Sequence, residues 1–277
     1  MQRIFIRIVL MLVASMIASV ASAQKRADFF IQVSDPQLGF ISLTDDFMPE
    51  EQLMGQITSE INRLQPDFVV FSGDLVHWFD REQLWDGFKR MCAKIDKKIP
   101  VYYLPGNHDV SGDASPESVK KFIERFGSDR FVHRGRSYTV IGYNSNNIKN
   151  HTAASQTEYE WIEQQLRRAH KNKPIILVSH HPYFLNSADE AEEYFNIDIE
   201  TRMRYLKLFE RYGVDLVLTG HLHRCTSGRY DDIDFVTAGP AGKTLGRDAS
   251  GVHIVKIQGG KVSPAYYPIE KIPQSVR

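Results

Sequence analysis

The sequence predicts an α/β fold, and three observations carry that expectation. Short apolar runs alternate with segments of helical periodicity from residue 29 to residue 218. Five of those runs end in a polar cluster that holds Asp, Asn or His. After residue 223 the helical periodicity stops, and three strand-like runs joined by Gly-containing turns complete the chain.

Taken in order, residues 29–33 form an apolar run that closes in Ser34-Asp35-Pro36. Leu53, Ile57, Ile61 and Leu64 share one face of a helix over about 50–64, and Pro66 stops it. Residues 68–71 read as a buried strand closed by Ser72-Gly73-Asp74, and 81–95 as a second helix. The run 101–104 closes in Pro105-Gly106-Asn107-His108-Asp109; a helix over 119–126 and a strand over 137–143 come next. Residues 157–170 read as helix, and 175–178 as a continuous apolar strand closed by Ser179-His180-His181-Pro182. A helix over 201–212 leads to a strand over 214–218, closed by Thr219-Gly220-His221-Leu222-His223. The tail supplies strands over 233–238, 252–257 and 262–267. In α/β folds ligands bind outside the carboxyl ends of strands, so the five clusters are expected to meet in one cleft.

The bulk numbers fit one globular enzyme domain over residues 24–277. The chain has 277 residues, 42% hydrophobic and 25% charged, enough apolar material for a sizeable core. Lys plus Arg and Asp plus Glu both total 34, so there is no basic excess and no nucleic-acid partner is expected. Residues 1–23 read as a signal peptide: Arg3 and Arg7 precede an apolar stretch over 8–20, and Ala21-Ser22-Ala23 fits a small-x-small cleavage site before Gln24. The expected product is exported, periplasmic or extracellular, with no stable membrane anchor after cleavage. The two cysteines, Cys92 and Cys225, follow no disulfide pattern and read as free thiols.

A Gly-Asp after an apolar strand, a lone His-x-His, or a Gly-Asn turn is weak evidence by itself. All five clusters, in order and each at a strand end, are a different matter. Asp35-Pro36-Gln37, Gly73-Asp74, Gly106-Asn107-His108-Asp109, His180-His181-Pro182 and Gly220-His221-Leu222-His223 resemble the calcineurin-like metallophosphoesterase superfamily. That pattern is D-x-H, G-D, G-N-H-D/E, H-x-P and G-H-x-H. The match runs from Asp35 to His223 and departs at Gln37, which stands where the pattern has His. The D-P-Q variant, with G-N-H-D and L-G-R-D, resembles a narrower group described as serine/threonine phosphatases. The resemblance implies a four-layer α-β-β-α sandwich and two divalent metal ions, with Mn, Fe and Zn as candidates. Metal one would take Asp35, Asp74, His223 and Gln37; metal two would take Asp74, Asn107, His180 and His221. It also implies that His108 carries no metal and serves the phosphate or the leaving oxygen, with Asp109 or another carboxylate orienting it. The expected reaction is hydrolysis of a phosphate ester by a hydroxide held on the metals, with a small phosphomonoester preferred. Phosphodiester or pyrophosphate hydrolysis, and a catalytically weak phosphate-binding module, are the alternatives.

Physical chemistry supports that ligand set. Two cations ~3.5–4 Å apart repel strongly, so a shared carboxylate is required, and Asp74 is the natural bridge. Mixed nitrogen and oxygen donors suit several divalent metals. An amide oxygen is a poorer ligand than imidazole, which makes His77, three residues past Asp74, a candidate partner of metal one or of substrate. Arg247 is a candidate for gripping a phosphate oxygen as a planar fork, against a simple internal pair with Asp248. The acidic stretch 189–198 reads as a solvated loop beside the cleft.

Overall fold

The computed structural model describes residues 27–44, 46–169 and 174–277; the signal peptide read over 1–23 lies outside the described residues. Two mixed sheets carry the fold. The first has the order β11-β10-β1-β2-β3, with β1 Asp28–Val33, β2 Val69–Ser72, β3 Val101–Leu104, β10 Gly251–Gln258 and β11 Lys261–Pro268. The second has the order β4-β5-β6-β7-β9-β8, with β4 Phe131–Arg134, β5 Thr139–Gly142, β6 Ile175–Val178, β7 Leu216–Thr219, β8 Thr226–Tyr230 and β9 Ile233–Thr237. β1, β2 and β3 run parallel, as do β5, β6, β7 and β9, so the carboxyl tips within each sheet share one edge. β10 pairs antiparallel with both β1 and β11, which is how the strand-rich tail joins the first sheet.

Three apolar cores make the four layers. Phe30, Val70, Val140, Val178, Leu218 and Val255 pack between the sheets. On the outer face of the first sheet, Ile31, Val69 and Phe71 meet α1 (Met48–Leu64), α2 (Glu82–Cys92) and α3 (Pro116–Phe126) through Ile57, Trp85 and Phe122. On the outer face of the second, Ile141, Leu177 and Val217 meet α4 (Ser145–Lys149), α5 (Ser155–Arg168) and α6 (Ile199–Arg211) through Ile148, Ile162 and Leu206. β1, β2, β5, β6 and β7 are buried on both faces, which is why they read as continuous apolar runs rather than alternating ones. Helix starts obey local chemistry: Ser115 accepts from the Ser118 amide ahead of Pro116, and Asp198 accepts from the Thr201 amide. The α-β-β-α sandwich expected from the sequence is the fold observed.

Three elements lie outside the sequence reading. β4 and β8 are edge strands; the five residues of β8, Thr-Ser-Gly-Arg-Tyr, carry no apolar alternation to find them by. The short helix α4 is Asn-rich and reads as a turn, yet Ser145, Asn146 and Asn147 are buried in it. Cys92 and Cys225 are free thiols, in line with the sequence reading.

Asn147 links α4 to a buried acid. Its Nδ2 donates to Glu158 Oε2 at 3.1 Å, while Glu158 is 2% exposed and Arg130 stands 3.8 Å away. Burial, then the charge of Asp129, pushes the Glu158 carboxyl from its ordinary 4.5 up to about 7, with Arg130 partly opposing. The folded chain therefore keeps a proton that the unfolded chain releases. The resulting stability is present below about pH 4.5 and is lost as pH rises through about 7, a change of up to about 3 kcal/mol. Glu158→Gln is expected to abolish that slope. Denaturant unfolding at pH 5 and pH 8 checks it: the stability of the variant relative to the native chain should grow with pH.

Candidate metal centre

Two groups of donor atoms meet at the strand tips. Asp74, His180 and His221 bring one ligand atom each within 4.8 Å of one another, and so do Asp35, Asp74 and His223. Asp74, at the tip of β2, belongs to both groups. Asn107 joins the first, its Oδ1 lying 3.1 Å from His180 Nε2. Gln37 is tied to the second through its backbone, whose amide donates to the Asp74 carbonyl at 2.8 Å. The sequence-read ligands thus come together from β1, β2, β3, β6 and β7.

The backbone bends sharply to achieve this. Asp35, Gln37, Asp74, His221 and His223 all hold positive φ, between 41° and 73°. Such a conformation costs a non-glycine residue on the order of 1–3 kcal/mol and persists only where the surroundings enforce it. Two glycines make room for the carboxylates. A Cβ on Gly106 would strike the Asp74 carboxylate, and one on Gly220 would strike Ser34 Oγ and Asp35 Oδ2. The sheets hold the bends from outside: the His221 amide donates to both Asp35 oxygens at 3.1 and 3.0 Å, linking the tip of β7 to that of β1. Between the layers, Gln32 Nε2 donates to Ser72 Oγ and to the Thr219 carbonyl.

The imidazoles are fixed by the atoms behind them. A carbonyl only accepts, so each ring nitrogen bonded to one carries a proton. His180 Nδ1 donates to the Ser72 carbonyl at 3.0 Å and His223 Nδ1 to the Lys243 carbonyl at 2.5 Å, which leaves each Nε2 turned to a carboxylate. This is the outer support that metal-binding histidines use to set their tautomer. His180 Nε2 lies 3.3 Å from Asp74 and His223 Nε2 3.5 Å from Asp35. Burial works against charge on Asp74, but His180 first and His108 next outweigh it and hold the carboxyl below its ordinary value. Asp35 goes the other way: burial lifts it, and His223 and His180 offset only part of that. For His180, burial is outweighed by Asp74, and the ring is raised to about 9. For His221, burial and the neighbouring His180 lower it to about 3.

Several sequence-read roles change. Asp109 does not orient His108: its carboxylate accepts from the amides of Leu75, Val76 and Gly106, so it staples the β2 and β3 loops together. The partner of His108 is the His77 carbonyl, 2.9 Å from Nδ1. The His77 ring is absent from both donor groups; its Nδ1 accepts from Gln37 Nε2 at 3.3 Å, and it stacks between Phe40 and His108, 4.8 Å from each. Arg247 is exposed and does not line the cleft, and Asp248 accepts from the Cys225 amide instead of pairing with it. Arg224 and Lys243 supply the nearby cations, Arg224 in the cavity wall and Lys243 4.5 Å over the Phe40 ring. The 189–198 stretch is the largely exposed loop beside the cleft that the sequence suggests, and its Tyr194 and Phe195 line the cavity.

Sequence reasoning missed the braces. Ser34 donates to Asp35 Oδ2 at 2.5 Å. Ser145 Oγ accepts from the amides of His180 and His181, and Asn146 Nδ2 donates to the carbonyls of Pro105 and Gly106. The only signal for the last two is the polar run Asn144-Ser145-Asn146-Asn147 directly after an apolar strand.

A cation pair fits these residues. Gln37 is 1% exposed and its Oε1 has no hydrogen-bond partner among the described residues, the state expected of an oxygen kept for a metal. Carboxylate, amide and imidazole donors share a buried site where Asp74 raises the charge cost of Asp35. Fold and site together define a dinuclear metallohydrolase. The family model described as calcineurin-like phosphoesterase matches residues 30–225, and the chain belongs to that family.

Among relatives, the chain is similar to the serine/threonine-protein phosphatase CPPED1 of Danio rerio, 30% identical over 266 residues, covering 89% of this chain and 86% of that protein. The narrower resemblance read from the D-P-Q motif is thereby supported. Purple acid phosphatase PPD1 from yellow lupin (Lupinus luteus) has a similar fold, with TM-score 0.69 and 15% identity over 89% of this chain and 52% of that one. A dimetal phosphatase from Danio rerio does too, with TM-score 0.64 and 12% identity over 87% and 96%. The chain is a metal-dependent phosphoric ester hydrolase.

Since Asp74 belongs to both donor groups, its loss is expected to disturb both metals. Elemental analysis of the purified protein should give two divalent ions per chain for the native sequence and fewer than one for Asp74→Asn.

Proposed function

We propose that this chain is an exported phosphomonoesterase that hydrolyses a small phosphate ester at the Asp74 centre. The observation that carries the reading is the sharing of Asp74 between two donor groups, each completed by different histidines. Asp35, Gln37 and His223 would hold one ion with Asp74, and Asn107, His180 and His221 would hold the other with it. When bound, a pair of divalent cations supplies Lewis acidity toward phosphate oxygens and lowers the pKa of water.

His108 is the proton-handling group. With Nδ1 committed to the His77 carbonyl, Nε2 is the nitrogen left for the cleft. The stack of Phe40, His77 and His108 holds the ring plane, so Nε2 meets the ester in one orientation. From there it donates to a phosphate oxygen or to the departing alkoxide. His77 acts through its neighbours, presenting its carbonyl to His108 and its ring to Gln37. The cavity has a volume of about 320 Å³ and, in Arg224, a cation with no hydrogen-bond or ion-pair partner among the described residues, which suits a compact doubly charged monoester. Export rests on residues 1–23 alone.

A panel of mono- and diesters offered to the Mn-loaded protein tests the reading. Monoesters are expected to exceed diesters in kcat/KM by about tenfold, and the reverse order would overturn it. His108→Ala is expected to lower kcat by about 10²–10⁴-fold while both metals stay bound. Metal loss in that variant equal to that of Asp74→Asn would show that His108 is itself a ligand.

A further inference from the structure

The cleft carries an apolar wall that the phosphate chemistry does not use. Tyr194 is 76% exposed and Leu245 61% exposed, and both line the cavity at the metal centre. Large apolar side chains exposed to that degree are costly to leave in water, and a cluster at a cavity marks a ligand surface. Tyr194 approaches from the His221 side, with ring centroids 5.9 Å apart. Leu245 approaches from the His223 side, its amide donating to the His223 carbonyl at 3.3 Å. Phe195 and Phe40 add aromatic surface between them and the ligands.

The segment that presents Tyr194 is held rigidly. Arg202 of α6 is fully buried, and its guanidinium donates to the carbonyls of Ala188, Glu190 and Ile197. The Glu190 carboxylate accepts from the amides of Leu185, Asn186 and Ser187. Asn196 bonds Glu190 and the Ala191 carbonyl, and Lys149 Nζ reaches the carbonyls of Glu193 and Asn196. A buried guanidinium spent on backbone carbonyls fixes the backbone of the loop from which the Tyr194 ring projects. A loop already ordered costs little further entropy when a ligand stacks on the ring it carries.

We propose that Tyr194 and its apolar neighbours select phosphate esters whose leaving group carries a flat aromatic system. Flat π faces match an exposed aromatic ring in a way that a short alkyl chain does not. The inference rests on the monoesterase reading and adds the substrate class. Simple aryl phosphates and nucleoside monophosphates both carry this chemistry.

The test uses the Mn-loaded full chain with 1-naphthyl phosphate, adenosine 5′-monophosphate and ethyl phosphate. KM is expected to be about tenfold lower for at least one aromatic ester than for ethyl phosphate, and Tyr194→Ala should collapse that ratio while Tyr194→Phe keeps it. Calorimetry with benzylphosphonate and ethylphosphonate should show the same ratio in Kd and the same collapse. Naphthyl above adenosine assigns a simple aryl group, and the opposite order assigns a nucleobase. Equal KM and Kd values for aromatic and alkyl ligands, or a ratio unaltered by Tyr194→Ala, would overturn the inference. Discrimination between the phosphonates without turnover of any ester would instead sink the monoesterase reading and leave the aromatic wall standing.

Discussion

One buried carboxylate sets the terms for the rest of this structure. Asp74 sits beneath the cleft with its own backbone in the left-handed region, its Oδ1 taking the His108 amide and its Oδ2 facing His180. Asp35 and Asp109 are buried nearby, so three carboxylates share a volume with little water. Like charges so placed are tolerated only where cations or directed N–H groups face them. Asp109 spends itself on three amides, while Asp35 has the Ser34 hydroxyl and the His221 amide. Asp74 accepts one backbone bond and otherwise faces imidazoles, the arrangement of a group whose balance is completed by metal.

This balance explains why the fold needs two sheets. No single sheet edge supplies enough donors: the tips of β1, β2 and β3 bring the acids, Gln37 and Asn107, and the tips of β6 and β7 bring the histidines. The interior core between the layers fixes the separation of the two edges, and the amide of His221 on Asp35 joins them directly. Strained tips, buried charge and close backbone approach all raise the free energy of this corner. The apolar packing of both sheets against the flanking helices offsets it, which places stability in the layers and function at their rim.

Much of this was legible in the sequence, for a physical reason. Strands buried on both faces must be continuous apolar runs, and donors at their ends must be polar. The strands 69–72, 101–104, 175–178 and 216–219 therefore announce themselves together with the donor clusters at their tips. The ligand-type residues were readable because each motif couples a turn-forming glycine to a donor. The features that escaped are those defined by contact instead of pattern. Asn146 and Ser145 hold motif loops from a five-residue helix with no amphipathic period. Arg224 takes the place in the cleft expected of Arg247, since a choice between nearby arginines on looping backbone depends on chain direction alone. The acidic run 189–198 hid a braced loop with aromatic residues at the cleft, because the brace is Arg202, a residue that composition assigns to the surface and packing puts inside.

The departure at Gln37 has its physical counterpart in His77. An amide has two chemically different ends, and a weak metal donor is useful only if its oxygen is the end presented. His77 Nδ1, by accepting from Gln37 Nε2, makes that choice, since an amide nitrogen can only donate. The same residue gives its carbonyl to His108 and its ring face to the stack with Phe40. An imidazole ligand is fixed here by one carbonyl behind it, as His180 and His223 show; an amide ligand needs a partner that reads its two ends apart. His77 therefore joins Gln37 to His108, and a change in the fit of one reaches the other through a single residue.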